Sequence, residues 1–98
     1  MKIVGVEILE EAQKRYTDVA KRLSAWKAET TSKETAWKSF QDVRDRYPAT
    51  DKVGERYVFN IGGNRYRLIV KINFVVGIVV VRWFGTHAEY NKINVEEV

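Results

Sequence analysis

The chain has no cysteine, only one histidine and only one proline in its 98 residues. Without cysteine, disulfides and thiolate metal sites are excluded. A zinc ion would depend on carboxylate ligands, so we expect no metal and no cofactor. No apolar run reaches the roughly 18 residues of a membrane span, and acidic residues appear by position 7, unlike in a signal peptide. We therefore expect a cytoplasmic protein with no membrane partner.

Acidic residues are missing from one long stretch of the chain. Between Arg56 and His87 the sequence contains arginine and lysine but no Asp or Glu, whereas the first half is nearly balanced in charge. A basic segment without acids suggests an anionic partner such as a nucleic-acid backbone, although a small basic surface also arises by chance. Hydrophobic content of 45% and charged content of 31% are typical of a soluble globular protein. The length predicts a single domain over residues 1–98.

Helical periodicity is present in the first half of the chain. Apolar residues recur at helical spacing over residues 7–28, which predicts one broken helix or a helical hairpin with Thr17 or Asp18 as a possible N-cap at the break. Ser39 stands three residues before Asp42, a variant of the capping box that predicts a short helix. Pro48 should end that helix near residue 47.

The second half reads as β-structure. A short first strand is predicted at residues 2–5, and "ATDKVGE" at 49–55 is predicted to be a loop. The runs "YVFNI", "RYRLIVKIN" and "IVVVRWF" are rich in β-branched and aromatic residues and are separated by "GGN" and "VVG". We predict an α+β fold in which N-terminal helices pack on a C-terminal antiparallel β-meander.

The central predicted strand separates apolar from basic side chains. With a period of two, one face carries Tyr66, Leu68, Val70 and Ile72 and packs on the helices. The other face carries Arg65, Arg67, Lys71 and Asn73, together with Ile69. Three cations on one exposed face favour an anionic ligand, but a solvated face that discourages aggregation is an equally good reading. Arg82 in the next strand joins this basic row or pairs elsewhere.

The single histidine follows the last predicted strand. Gly85 permits a sharp exit from the sheet, which would leave His87 near its end. Histidine exchanges protons near neutral pH, and Tyr90 could stack on a base or bind a phosphate. An isolated histidine more often has a structural role, and Trp83 is expected beneath the sheet with the core.

Long ordered motifs carry a resemblance to a known family. The segments "FNIGGNRYRLIVKIN", an arginine in the next strand, and "GTHAEYNKI" resemble the HigB toxin family of the RelE-like mRNA interferases, over residues 57–98. The resemblance implies a RelE-like fold and an endoribonuclease toxin that inhibits translation by cutting mRNA on the translating ribosome. It also implies metal-independent attack of a 2′-hydroxyl on the adjacent phosphate, which leaves a 2′,3′-cyclic phosphate and a 5′-hydroxyl.

The resemblance also implies partners and residue roles. The partners are mRNA, the ribosome and a HigA-type helix-turn-helix antitoxin, with operator DNA bound only through the antitoxin complex. His87 becomes the candidate general acid or base and Tyr90 a helper that positions substrate. Arg65, Arg67 and Lys71 become catalytic candidates that bind the phosphate and stabilise the transition state. The candidates for RNA binding are these three residues together with Asn73 and Arg82.

Two departures from the family pattern and two alternative functions accompany this reading. Asn91 stands where the family often has aspartate, and the apolar turn "FVVG" at 74–77 could touch an antitoxin or the ribosome, or fold back on the core. A non-catalytic RNA- or ribosome-binding module would use the same basic residues. A pure interaction protein would use them for an acidic partner. New 5′-hydroxyl ends on RNA distinguish the enzyme from both alternatives.

Overall fold

A computed structural model describes all 98 residues of the chain. In chain order the elements are β1 (Lys2–Val4), α1 (Val6–Arg15), α2 (Ala20–Thr31), α3 (Phe40–Arg46), β2 (Asp51–Val53), β3 (Arg56–Ile61), β4 (Tyr66–Asn73), β5 (Ile78–Thr86), α4 (His87–Tyr90) and a 3-10 turn (Val95–Glu97). None of the helices combines the length and apolar character that a membrane crossing requires. The α+β fold predicted from the sequence is confirmed.

The first two helices form the predicted helical hairpin. α1 ends at Arg15, and the next residue, Tyr16, donates its N–H to the carbonyl of Ala12 at 2.8 Å; α2 begins after Val19. The prediction that Thr17 or Asp18 caps α2 is wrong, because Val19 occupies the N-cap position and makes no side-chain hydrogen bond. Asp18 is exposed and contacts the sheet instead, as described below.

The third helix has the predicted boundaries. Ser39 is its N-cap, and the side-chain oxygen accepts a hydrogen bond from the N–H of Asp42 at 3.4 Å. The carboxylate of Asp42 accepts in turn from the N–H of Lys38 at 2.8 Å. These bonds satisfy N–H groups that have no partner inside the helix. The helix ends before Pro48, which cannot continue it.

The sheet contains the predicted meander and one further strand at each edge. Its order is β1-β5-β4-β3-β2; β2 to β5 pair antiparallel, and β1 pairs parallel with β5. The prediction of a loop over residues 49–55 is wrong, because Asp51–Val53 pair with β3 across a turn at Gly54, where φ is 59°. This edge strand is short and charged, so it lacks the apolar alternation that marks a strand in sequence.

The main core lies between the helices and one face of the sheet. The predicted apolar row of β4 faces the helices, and Leu68 and Val70 are fully buried there. From the helical side, Trp26 packs edge-to-face against Phe59, with 5.4 Å between the two ring centres. Each fully buried aliphatic or aromatic side chain contributes roughly 1.5–3 kcal/mol of transfer free energy. This packing fixes β4 and therefore the residues at its ends.

A β-bulge at Arg82 shifts the register in which β5 pairs with β4. Ile69 lies opposite Trp83 and Val70 lies opposite Val81, so Arg82 has no partner on β4. The extra residue reverses the faces of β5 beyond the bulge. Trp83 therefore projects to the face away from the helices, and its predicted position beneath the sheet is wrong.

The outer face of the sheet, turned away from the helices, is covered over β3 and β4. Val58 and Ile69 project to this face, yet their exposed fractions are 2% and 0%. The C-terminal segment, residues 87–98, crosses this region and is tied to β3 by a 2.8 Å hydrogen bond from Nε of Arg56 to the carbonyl of Val98. The outer face thus has a covered part over β3 and β4 and an open part towards β1.

Candidate active site

Three of the predicted site residues, Arg67, His87 and Tyr90, lie where β4 begins and β5 ends. Arg67 lies directly opposite Gly85 in the sheet. Two residues beyond Gly85 the chain enters α4 at His87, whose N–H donates to the carbonyl of Arg65 at 2.9 Å. This backbone hydrogen bond holds the first residue of α4 against the start of β4. The fold therefore places His87 at the start of β4, the strand that carries Arg67.

Arg67 is a buried cation, with an exposed fraction of 7%. Its guanidinium donates to the carbonyls of Asn64 and Tyr66 at 3.2 and 3.1 Å and to the Asn64 side-chain oxygen at 2.6 Å. It also lies 5.8 Å from the centre of the Tyr90 ring. The only two ion pairs in the structure involve other arginines. A buried charge without a carboxylate is costly, so this site favours an anionic ligand.

The backbone of His87 is fixed by its hydrogen bond to Arg65, whereas one nitrogen of its imidazole ring is accessible to solvent. It is the first residue of α4, directly after the N-cap Thr86. Its Nδ1 is buried without a hydrogen-bond partner, and its side chain makes no hydrogen bond within the protein. Nε2 is therefore the ring nitrogen that solvent reaches. A nitrogen in this position can exchange a proton with a bound molecule.

Glu89 fixes α4 to the rest of the fold. Its Oε1 accepts from the N–H of Thr86 at 2.9 Å, and Thr86 Oγ1 accepts from the N–H of Glu89 at 3.1 Å, which completes a capping box. The same carboxylate accepts a 3.1 Å hydrogen bond from the hydroxyl of Tyr16 at the end of α1. The backbone bond from Thr86 and the bond from Tyr16 lower the pKa of Glu89, whereas burial and the bond to Glu89 raise the pKa of Tyr16.

Trp83 and Tyr90 form an aromatic wall next to Arg67, whose guanidinium lies 5.8 Å from the centre of the Tyr90 ring. The Trp83 and Tyr90 rings lie 6.4 Å apart. A Cβ atom on Gly85 would lie 2.5 Å from Cη2 of Trp83 and 3.0 Å from Oε1 of Glu89. Gly85 thus makes room for the indole, and the predicted sharp exit does not occur there, because β5 continues to Thr86. The missing side chain opposite Arg67 allows these groups to approach one another.

The predicted basic row is wrong at Arg65. This residue lies in the turn before β4, where Gly62 and Gly63 adopt φ values of 65° and 67°. Its guanidinium pairs with Asp18 and lies 5.6 Å from the centre of the Tyr66 ring, which belongs to the helix-facing side. The strand period predicted that the Arg65 side chain lies on the same face as Arg67. Its direction is set instead by the ion pair with Asp18, which lies between α1 and α2.

Lys71 shares the outer face with Arg67, as predicted, but belongs to a different part of it. Four residues of strand separate the two, which corresponds to about 13 Å. Lys71, Asn73 and Arg82 line a groove of about 690 Å³ together with Lys52. The amide oxygen of Asn73 accepts hydrogen bonds from two N–H groups of its own turn. The predicted residues thus form two groups, one around Arg67 and one around Lys71.

The sequence reading missed two residues of the site. Glu89 had a readable signal, because Thr86 and Glu89 have the T-x-x-E spacing of a capping box. Asn64 had no such signal, since its contact with Arg67 depends on how the turn folds. No group of three or more histidine or carboxylate side chains in the structure could hold a metal ion.

The fold and site define a class: small basic α+β domains with a buried arginine and a histidine at the end of a mixed five-stranded sheet. Residues 19–93 match the family model described as HigB_toxin, RelE-like toxic component of a toxin-antitoxin system. The chain is 32% identical over 96 residues to the mRNA interferase HigB of Escherichia coli O6:H1, across 95% of this chain and 91% of that protein. The chain belongs to the HigB toxin family. The resemblance read from its motifs is confirmed.

Proposed function

We propose that the protein is an mRNA interferase, an endoribonuclease that cleaves mRNA and so inhibits translation. The observation that carries this proposal is the buried guanidinium of Arg67, which has no carboxylate partner. The backbone N–H of His87 is bonded to the carbonyl of Arg65 at the start of the same strand. A phosphodiester would supply the missing negative charge. The name of the Escherichia coli relative supports the same activity.

The proposed reaction needs no metal and no cofactor. The 2′-oxygen of one nucleotide forms a bond to the adjacent phosphorus, and the bond from that phosphorus to the 5′-oxygen of the next nucleotide breaks. One protein group or water accepts the 2′-hydroxyl proton, and another donates a proton to the departing 5′-oxygen. The products are a 2′,3′-cyclic phosphate and a 5′-hydroxyl end.

The residues around Arg67 take the central roles. Arg67 binds the phosphate and stabilises the charge that develops on its oxygens. Nε2 of His87 transfers one of the two protons, and Tyr90, whose ring centre lies 5.8 Å from the Arg67 guanidinium, positions the substrate. Arg65 is a weaker candidate for phosphate binding, because its guanidinium is paired with Asp18.

The groove around Lys71 takes the RNA next to the cleaved bond. Lys71, Asn73 and Arg82 line it together, about 13 Å from Arg67 along β4. This distance matches contacts to flanking nucleotides better than contacts to the reacting phosphate. Backbone charge contacts of this kind add affinity without reading sequence.

We extend the proposal to the setting in which the toxin acts. The toxin cleaves mRNA on the translating ribosome in the cytoplasm, and a HigA-type helix-turn-helix antitoxin holds it inactive. Operator DNA is contacted only through the antitoxin. Purified protein incubated with bare mRNA and with translating ribosomes tests the ribosome requirement, because equal cleavage of both would contradict it.

The test of the function maps mRNA 5′ ends after brief induction. Wild type, His87→Ala and Arg67→Ala are compared, with Lys27→Ala as a control because Lys27 is exposed on α2. We expect new 5′-hydroxyl ends with wild type and the control and strongly reduced cleavage with the other two. Cleavage by His87→Ala at the wild-type rate would show that a group other than His87 transfers the proton. Growth arrest without new 5′-hydroxyl ends would contradict the enzyme and favour a non-catalytic RNA-binding module.

A further inference from the structure

The large apolar side chains most exposed to solvent lie in the β4–β5 turn and on the adjoining edge strand β1. Val4, Val75 and Val76 have exposed fractions of 46%, 95% and 61%. Val4 belongs to β1, and the other two form the turn between β4 and β5. The N–H of Lys2 donates to the carbonyl of Gly77 at 2.8 Å, which joins the two segments. An apolar cluster of this kind is typical of an interaction site.

The cluster continues into the open part of the outer sheet face. Lys2 and Val4 lie opposite Ile78 and Val80 on β5, and Ile78 and Val80 share the face of Asn73 and Lys71. The C-terminal segment crosses β3 and β4 but leaves Ile78 and Val80 partly exposed. A strip of aliphatic surface therefore runs from the turn along β1 and β5.

The turn presents its valines on an ordered backbone. The side-chain oxygen of Asn73 accepts from the N–H groups of Val75 and Val76 at 3.1 and 3.2 Å. Gly77 has a φ of 73° and donates its N–H to the carbonyl of Asn73 at 2.9 Å. Phe74 turns inward and packs against the core. A preorganised turn loses little conformational entropy when a partner binds.

Positive charge lies beside this apolar turn. On one side Val75 lines the groove of Lys52, Lys71 and Arg82, which holds one carboxylate, Glu55. A groove of about 550 Å³ beside the turn is lined by Lys2 and Lys38, and no Asp or Glu lines it. The nearby carboxylate of Asp42 accepts a hydrogen bond from the N–H of Lys38. We use the name valine surface for Val4, Val75, Val76, Lys2 and Lys38.

We propose that the valine surface is where the antitoxin docks, through a segment whose apolar side chains are flanked by Asp or Glu. Valine has neither a flat ring for stacking bases nor a hydrogen-bond donor for phosphate, so its exposure favours a peptide over RNA. The lysines around it favour acidic neighbours on that peptide. This inference rests on the toxin-antitoxin assignment of the family and not on the cleavage chemistry.

The experiment measures the affinity of the full-length toxin for the purified antitoxin of its own pair by calorimetry, at low and high salt. One variant is Val75→Ser with Val76→Ser, and another is Lys2→Glu with Lys38→Glu. The matched control is Lys21→Glu with Lys27→Glu, a charge reversal on the exposed side of α2. All substituted side chains are exposed or at the surface, so the fold is preserved, which thermal unfolding checks.

We expect both valine-surface variants to bind the antitoxin at least tenfold more weakly, with wild-type affinity for the control. The loss from the lysine variant shrinks at high salt because exposed charges are screened. RNA cleavage by the free lysine variant stays at the wild-type level, since Lys2 and Lys38 do not line the groove around Lys71. Wild-type antitoxin affinity in both variants overturns the proposal, as does an equal loss in the control. Reduced RNA cleavage with normal antitoxin affinity assigns the surface to RNA and also overturns it.

Discussion

The hydroxyl of Tyr16 donates a 3.1 Å hydrogen bond to Oε1 of Glu89, although 73 positions separate the two residues. Tyr16 directly follows α1, and Glu89 belongs to the four-residue helix that carries His87 and Tyr90. A helix of four residues is not stable by itself, so its position depends on such contacts. Glu89 is therefore a positioning residue for the site rather than a group that touches RNA.

Removing the carboxylate of Glu89 should loosen α4. Glu89→Ala leaves Thr86 and Tyr16 without their acceptor and should cost about 0.5–2 kcal/mol, the usual cost of a lost cap. RNA cleavage should fall about tenfold or more because His87 is no longer held in place. Glu89→Gln keeps an acceptor oxygen and should recover most of the activity. Single-turnover cleavage and urea unfolding measure both effects, and full activity in Glu89→Ala would refute the positioning role.

The contribution of Glu89 to stability should depend on pH. Its pKa lies below the ordinary value of 4.5, chiefly because it accepts a hydrogen bond from the backbone of Thr86. The ionised form is therefore favoured in the folded protein, so the stabilisation is present above pH 4.5 and is lost as the pH falls through the folded pKa. Glu89→Gln should be less stable than wild type at pH 7, with a smaller difference at pH 3. Urea unfolding at both pH values tests this, and an unchanged difference would contradict it.

The two arginines at the start of β4 should behave differently. Arg67→Ala removes the buried guanidinium and should reduce cleavage roughly 10²–10³-fold, as the loss of a group that stabilises transition-state charge does. Arg65→Ala removes an exposed ion pair with Asp18, which is worth roughly 0–1 kcal/mol, and should reduce cleavage only a few-fold. Arg67→Lys keeps the positive charge but loses the bidentate guanidinium, so its cleavage rate should lie between those of Arg67→Ala and Arg65→Ala. A larger loss in Arg65→Ala than in Arg67→Ala would reverse the proposed roles.

A methyl group at Gly85 should disturb the aromatic wall. Its Cβ would lie 2.5 and 2.6 Å from two carbons of the Trp83 ring. Gly85→Ala should therefore destabilise the protein by roughly 1–3 kcal/mol and reduce cleavage by displacing the indole and Glu89. The same change in a Trp83→Ala background should cost much less, because the ring it meets is gone. Equal costs in both backgrounds, measured by urea unfolding, would exclude this clash as the cause.

Much of the fold could be predicted from local patterns. The helix break before Val19, the cap at Ser39 and the stop at Pro48 depend on neighbouring residues and were readable. The strand Asp51–Val53 was not, because its pairing with β3 and not its own composition makes it a strand. The sheet face on which Trp83 lies could not be predicted either. A strict two-residue period does not reveal that Arg82 is an extra, unpaired residue in β5.

The sequence by itself determined the α+β class, the acid-free basic half, the helix-facing row of β4 and the family motifs around His87. Each of these depends on residue types and spacings that act along the chain. Only the tertiary structure decided that Arg67 is buried, that Arg65 turns to Asp18, and that Tyr16 holds Glu89. Those outcomes depend on contacts between residues far apart in sequence, because a long polar side chain is directed by the partner that the fold brings within reach.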